Sequence, residues 1–175
     1  MERILVIGSP GSGKTTLSKT LAEKLNLPLV HLDALYWQEG WQPAAREVFD
    51  GRLDAQLRRP KWIIDGNYGR TLSMRLRFCD TVIFLDYPRM ACILGVLGRV
   101  IRNYGKTRAD MGAGCPERFD GAFLRYVWQF NKKHRGTYRR LMAEQTDKQV
   151  LVFQNRRAAA RFVQQLEQKT PETDI

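Results

Sequence analysis

Short apolar runs rich in β-branched residues recur at 4–7, 29–32, 62–64, 81–85 and 150–153, each about the length of a strand. Between them the apolar positions take up helical spacing, near 14–25, 44–58, 72–78 and 91–104, then over a longer stretch at 117–144 and a last one at 158–168. Strands that are apolar on both faces and alternate with helices pair in parallel, because each crossover helix covers one face of the sheet. The pattern therefore predicts an α/β fold, a three-layer α/β/α sandwich around a five-stranded parallel sheet. A chain of 175 residues supplies one such core, which places a single domain at 1–168 and a polar, fraying tail at 169–175. The segment 104–117 follows neither period and mixes Gly105, Gly112, Gly114 and Pro116 with Lys106, Arg108 and Asp110. It reads as a mobile basic loop between two helices, a position that suits a lid.

The first strand runs directly into Gly8-Ser9-Pro10-Gly11-Ser12-Gly13-Lys14-Thr15, followed by Thr16 and a helix. This is a full G-x-x-x-x-G-K-[ST] match in the strand–loop–helix setting that gives the motif its meaning, a P-loop. Gly8, Gly11 and Gly13 permit the backbone conformations that turn successive N–H groups onto a phosphate. The helix beginning near Lys14 adds the positive end of its dipole. Lys14 brings a mobile point charge to the β- and γ-phosphates, and the Thr15 hydroxyl is placed to ligate Mg²⁺. The cofactors expected are thus ATP, or GTP in its place, and Mg²⁺.

Three acids close predicted strands. Asp65 ends 62–64 and precedes Gly66, facing the crevice where α/β sheets bind ligands, and is read as the second Mg²⁺ element or else as a turn-starting residue. Asp33 follows 29–32, where it positions an acceptor hydroxyl, serves as its base, or caps a helix. Asp86 precedes Tyr87-Pro88 and reads as a turn residue. The neighbouring Tyr36, Trp37 and Trp41 either stack on a base or pack in the core or at a hinge.

Charge changes the picture next. The chain carries 29 Lys and Arg against 18 Asp and Glu, a net +11, and 11 basic but only 3 acidic residues fall in 99–140. Phosphoryl transfer needs positioning and positive charge more than covalent help, so Arg99, Arg102, Arg108 and Arg118, in or beside the expected lid, are candidates for covering phosphates. Within 117–144, Phe119, Phe123, Val127, Phe130, His134, Tyr138 and Leu141 share one helical face. Arg125, Lys132, Lys133, Arg135, Arg139 and Arg140 share the opposite arc with Trp128. The arc is a solvated face or a surface for nucleic acid. No apolar run reaches the ~20 residues of a membrane helix. The early first strand leaves no room for a signal peptide, and Cys79, Cys92 and Cys115 lack C-x-x-C spacing, so reduced thiols in a cytoplasmic protein are expected.

The P-loop, the Asp65-Gly66 pair with Arg70 and Thr71 just beyond, and the basic loop before the fifth strand resemble the adenylate kinase family and its nucleoside-monophosphate kinase relatives. The order His31-Leu-Asp33-Ala-Leu-Tyr-Trp37, Ile64-Asp65-Gly66-Asn67-Tyr68, Arg108-Ala-Asp110 and Gly114-Cys-Pro-Glu117 is similar to adenylate-kinase-like bacterial proteins known as DNA topology modulation proteins. The resemblance covers roughly 1–153. It implies a kinase that transfers the γ-phosphoryl of ATP to a small acceptor such as a nucleoside monophosphate. Arg70 would meet the acceptor's phosphate, and Arg99, Arg102 and Arg108 would clamp from the lid. The turn after Asp65 is one residue longer than the adenylate kinase pattern, and 33–42 is richer in aromatic residues. Two alternatives therefore stay open: a kinase of a non-nucleotide hydroxylated metabolite, of the shikimate or gluconate type, and a nucleic-acid-associated NTPase using the basic helix 117–144. Oligomeric state is left open.

Overall fold

The computed structural model describes residues 1–168; the tail 169–175, expected to fray, lies outside them. Five parallel strands form the main sheet in the order β2-β5-β1-β6-β7: β1 (Arg3–Gly8), β2 (Leu29–His31), β5 (Trp62–Asp65), β6 (Thr81–Leu85) and β7 (Gln149–Phe153). The three central strands are buried almost throughout, which is why they read as unbroken apolar runs, while β2 and β7 at the edges are only partly covered. Alternate residues feed two cores. Leu5, Ile7, Ile64, Val82 and Phe84 face α3 (Arg46–Leu57), α4 (Gly69–Phe78) and the second half of α6 (Gly121–Ala143). Ile4, Val6, Ile63, Ile83 and Leu85 face α1 (Lys14–Leu25), α5 (Arg89–Asn103) and α7 (Arg156–Gln168).

The order of strands positions the site. From β1 the chain crosses to the edge, returns as β5 on one flank of β1, then jumps to β6 on the other. The loops leaving β1 and its neighbours therefore diverge, and a crevice opens beyond their carboxyl ends.

Local chemistry sets several boundaries that periodicity places a few residues away. The long helix starts at Gly121 rather than 117, because the Asp120 carboxylate accepts from the Phe123 amide (3.0 Å) and caps it. Phe119 consequently lies ahead of the helix, exposed, and not on its apolar face. Helix α1 stops where Asn26 turns left-handed (φ 50°) and its N–H closes on the Ala22 carbonyl. Two elements escape the periodic reading altogether. A single helical turn, α2 (Leu32–Tyr36), follows β2, and a small antiparallel ribbon pairs β3 (Trp37–Gln38) with β4 (Gln42–Pro43). Two-residue strands carry no period to detect.

The basic arc of α6 is partly committed inside the molecule. Asp86, at the end of β6 and with its side chain 1% exposed, receives Arg135 Nε (2.6 Å) and both Arg139 Nε (2.8 Å) and Nη2 (2.6 Å). Asp86 is thus more than the turn residue expected from sequence; it ties the long helix to the sheet. Trp128 lies beneath the Arg89 guanidinium, 4.5 Å from the ring centre. Removing both arginines leaves a buried carboxylate unpaired. The double variant Arg135→Ala/Arg139→Ala should lose about 3 kcal/mol of unfolding free energy in urea, and a loss below about 1 kcal/mol would show that solvent replaces the pair.

Candidate active site

The P-loop occupies the crevice at the end of β1. Gly8, Gly11 and Gly13 have φ of 150°, 79° and 94°, so the glycines stand where the backbone leaves the range open to other residues. Gly11 is also a packing requirement: a Cβ there would meet the Cys92 carbonyl at 2.1 Å, and a Cβ on Gly95 would meet the Gly11 carbonyl at 2.1 Å. The loop therefore rests on the backbone of α5, with Arg156 Nη2 donating to the Gly11 carbonyl from α7 (3.3 Å). Lys14 Nζ donates to the Gly8 and Ser9 carbonyls (2.9 and 3.2 Å). Burial pushes its ammonium below the ordinary lysine range, and Asp65 and Asp33 oppose that shift. Ser9 and Ser12 are buried in the loop, and Pro10, Gly11, Ser12, Gly13, Thr15 and Thr16 line a cleft of about 1800 Å³.

A second loop, after β5, completes the floor. The Asn67 side-chain oxygen accepts from the Gly8 amide (3.1 Å). Tyr68, left-handed at φ 33°, donates its hydroxyl to Asp33 Oδ1 (2.7 Å). Burial together with the nearby Asp33 charge drives the Tyr68 phenol far above its usual range, so it stays a donor. Burial raises the Asp33 carboxyl above the usual carboxylate range, against the pull of the Tyr68 hydrogen bond and Lys14. Of the residues that sequence places here, Lys14, Thr15, Asp33, Asp65, Arg70, Arg99, Arg102 and Arg108 all line the one cleft.

Arg75 is the residue that sequence reading overlooks. It is fully buried and donates to the carbonyls of Gly66 (3.0 Å), Asn67 and Tyr68 (3.0 Å), and to the Thr71 hydroxyl (3.2 Å). Burial pushes its guanidinium down to about 10, where it is still charged at neutral pH. The signal available in the sequence is a lone arginine on the apolar face of α4.

Two expected arginine roles are altered by their partners. Arg70 is held at the cleft rim by Asp50, through Nη1–Oδ2 (2.9 Å) and Nη2–Oδ1 (2.5 Å). Arg99 and Arg108 both pair with buried Glu117 (3.1 and 3.3 Å), and Arg108 also pairs with Asp110 (3.4 Å). The segment 104–117 is irregular, with short bridges between Tyr104 and Glu117 and between Thr107 and Pro116. It is docked on the β3–β4 ribbon: Gly40 N–H donates to the Gly114 carbonyl (3.0 Å), Cys115 Sγ to the Gln38 carbonyl (3.0 Å) and Trp41 Nε1 to the Pro116 carbonyl (3.2 Å). Cys79, Cys92 and Cys115 are all buried and free.

Hard oxygen donors suited to Mg²⁺ are present. Asp65 is 4% exposed; its Oδ1 accepts from His31 Nδ1 (2.8 Å), while Oδ2 has no protein partner among the described residues. The Thr15 hydroxyl donates to Asp110 Oδ2 at a long 3.4 Å. Among the described residues no group of three or more His, Cys, Asp or Glu forms a cage. No helix there is long and apolar enough to cross a membrane.

Known proteins share this architecture. The family model for ATPases associated with various cellular activities matches residues 4–64. The shikimate kinase of Bacteroides thetaiotaomicron is 43% identical over 58 residues, 33% of each chain. A putative adenylate kinase of Pyrococcus abyssi is 26% identical over 132 residues, 69% of this chain and 66% of that one. The alignments with the shikimate kinases it matches first span about a third of their length. The crystal structure of the Bacteroides thetaiotaomicron shikimate kinase superposes with a TM-score of 0.57 at 19% identity, covering 95% of this chain and 96% of that one. The chain thus has the α/β fold of the P-loop kinases. Because the P-loop leans on α5 without side-chain clearance, Gly95→Ala should weaken ATP binding at least tenfold in calorimetric titration while the circular dichroism spectrum is retained. An unchanged affinity would mean that α5 yields and does not set the loop.

Proposed function

We propose that this chain is an ATP-dependent phosphotransferase that delivers the γ-phosphoryl group to a hydroxyl of a small, ring-type metabolite. The observation that carries the reading is Asp33, a carboxylate held by the Tyr68 hydroxyl in the same cleft as the P-loop and its lysine. In this reading the P-loop amides and Lys14 grip the donor phosphates and hold the terminal phosphorus against the acceptor. Thr15 and Asp65 would hold Mg²⁺, which when bound would neutralise phosphate charge. Asp33 accepts the proton of the attacking hydroxyl, and Tyr68 fixes which carboxylate oxygen faces it. Arg99, Arg102 and Arg108 flank the donor side. The first two lie on α5 and the third in the loop 104–117, which acts as the lid and keeps water from the transferring group.

The shikimate kinases among the relatives act on an acceptor of this hydroxylated kind, and their likeness supports the choice. The putative adenylate kinase of Pyrococcus abyssi, and Arg70 on the cleft wall, favour a second reading in which a nucleoside monophosphate is the acceptor. Exchange of the Asp50 carboxylate on Arg70 for the acceptor's phosphate would then be required.

Three outcomes test the mechanism. Lys14→Ala should abolish phosphoryl transfer, and activity near wild type would end the proposal. Asp33→Asn should lower kcat at least 100-fold with ATP affinity within about threefold, which steady-state kinetics and titration separate. Asp33 must be ionised to act, so activity should rise with pH through its raised pKa. The Tyr68 hydrogen bond lowers that pKa, so Tyr68→Phe should move the acidic limb of the kcat profile to higher pH. A limb that stays put would assign it to another group.

A further inference from the structure

The segment 104–117 carries two buried acids, Asp110 and Glu117, with different surroundings. Glu117 fastens the segment. Its carboxylate receives Arg99 from α5 and Arg108 from the segment itself (3.1 and 3.3 Å). Its amide donates to the Lys106 carbonyl (3.0 Å), and its own carbonyl accepts from the Gly105 amide (2.9 Å). Together with the bonds to the β3–β4 ribbon, these contacts dock the segment without help from Asp110. The Asp110 carboxylate, in a residue 7% exposed, lines the cleft instead. Its Oδ2 meets Arg108 Nη2 within the segment (3.4 Å) and, 95 residues away along the chain, the Thr15 hydroxyl at the end of the P-loop (3.4 Å).

A carboxylate against a loop that binds phosphate demands a reason. Asp33 and Asp65 line the same cleft, so a nucleotide arriving without a cation would meet three negative side chains. A cation arriving with the phosphates reverses the sign of those interactions. Hydroxyl chemistry points the same way. A threonine hydroxyl has one proton and two lone pairs, and once the proton is committed to a carboxylate the lone pairs are left for a hard cation. Partners of this kind fix the orientation of metal-ligating groups. Asp65 has a matching arrangement: Oδ1 is taken by His31 Nδ1 (2.8 Å), while the buried Oδ2 has no protein partner among the described residues.

We propose that Asp110 is a positioning residue for the nucleotide-bound cation. It accepts the hydrogen bond of the Thr15 hydroxyl, turns that oxygen toward Mg²⁺, and makes the site favour nucleotide carrying its cation over bare nucleotide. This rests on the kinase reading above and adds a residue of the loop 104–117 to the metal side of the site. Because Asp110 reaches Thr15 only from the docked loop, cation binding and docking favour each other.

The test measures ADP binding to the full chain by calorimetric titration, once with Mg²⁺ and once with a chelator, so that neither acceptor nor turnover is involved. In the wild type Mg²⁺ should tighten ADP binding about tenfold or more. Asp110→Ala should cut that gain about fivefold or more, while ADP alone binds as in the wild type or more tightly because a negative charge has gone. Equal losses with and without Mg²⁺ would show that Asp110 only supports the loop, and would overturn the proposal. Asp110→Asn breaks the ion pair with Arg108 but keeps an acceptor oxygen for Thr15, so it should lose less than about twofold of the gain. A loss equal to that of alanine would overturn the positioning role. Thr15→Val supplies a third arm: adding Asp110→Ala to it should reduce the gain by less than a further twofold or so, because both residues act through one hydroxyl. Losses that multiply would place the action of Asp110 elsewhere and overturn the inference. Thermal unfolding checks that each variant is folded. If ADP binds the wild type and Mg²⁺ adds nothing, the inference falls while the phosphotransferase reading still stands on the P-loop. If ADP does not bind at all, that reading falls and takes the inference with it.

Discussion

A buried guanidinium holds this site together. Arg75 gathers the carbonyls of Gly66, Asn67 and Tyr68 around one charge, and the turn it fixes reaches in three directions. Asp65 ends the strand just before it, the Asn67 side chain accepts from the first amide of the P-loop, and the Tyr68 hydroxyl orients Asp33. Backbone carbonyls converging on a buried point repel one another unless a cation or several donors stand among them. Arg75 meets that need with a planar fork of donors, which a lysine could not imitate. Through the turn it holds, elements far apart in the chain keep a common geometry.

The same economy explains where the large positive charge goes. A net +11 invites a search for an external anion, yet several of the clustered arginines are already engaged within the molecule. Arg135 and Arg139 converge on Asp86, and Arg99 and Arg108 on Glu117. Arg89 covers Trp128, and Arg118 lies over Trp41. The acids involved are few but buried, and each fixes two arginines in place while cancelling one unit of charge. Counting charges along the chain therefore overstates the positive surface on offer. The exposed remainder on α6, such as Arg125, Lys132 and Lys133, is what an anionic macromolecule would meet.

The parallel sheet and its helices were legible because burial on both faces leaves an unmistakable run such as 81–85, and because the P-loop is a contiguous motif with strict residue types. Lys14, Thr15, Asp33 and Asp65 could be picked out for the same reason: they lie at fixed offsets from strand ends. Arg75 could not. Its partners are carbonyls, which every residue possesses, and its role depends on a turn whose shape is set by Tyr68 at φ 33°. Asp86 was undervalued for a related reason, since its two arginines lie 49 and 53 residues away. The β3–β4 ribbon is too short for periodicity, and the pairing of Arg70 with Asp50 depends on how α3 and α4 meet, which spacing within one helix does not encode.

The hydrogen bonds that dock the loop 104–117 on the ribbon end on main-chain carbonyls. Gly112 and Gly114 lie so close to Trp37 and Glu39 that an added Cβ would come within 1.9 Å of the Trp37 carbonyl and 2.5 Å of the Glu39 Cγ. The carbonyls of Gln38, Gly114 and Pro116 accept these hydrogen bonds, from Cys115 Sγ, the Gly40 amide and Trp41 Nε1 respectively. On the ribbon's side, the Trp41 indole and the Glu39 side chain take part in this seam, and the remaining bonds use its backbone. Residues there that face the cleft can drift over evolutionary time while the loop 104–117 stays fastened to the ribbon. The lining of the cleft and the attachment of its neighbouring loop are thereby inherited separately, and a lineage built on this scaffold could alter the first by point substitution without unfastening the second.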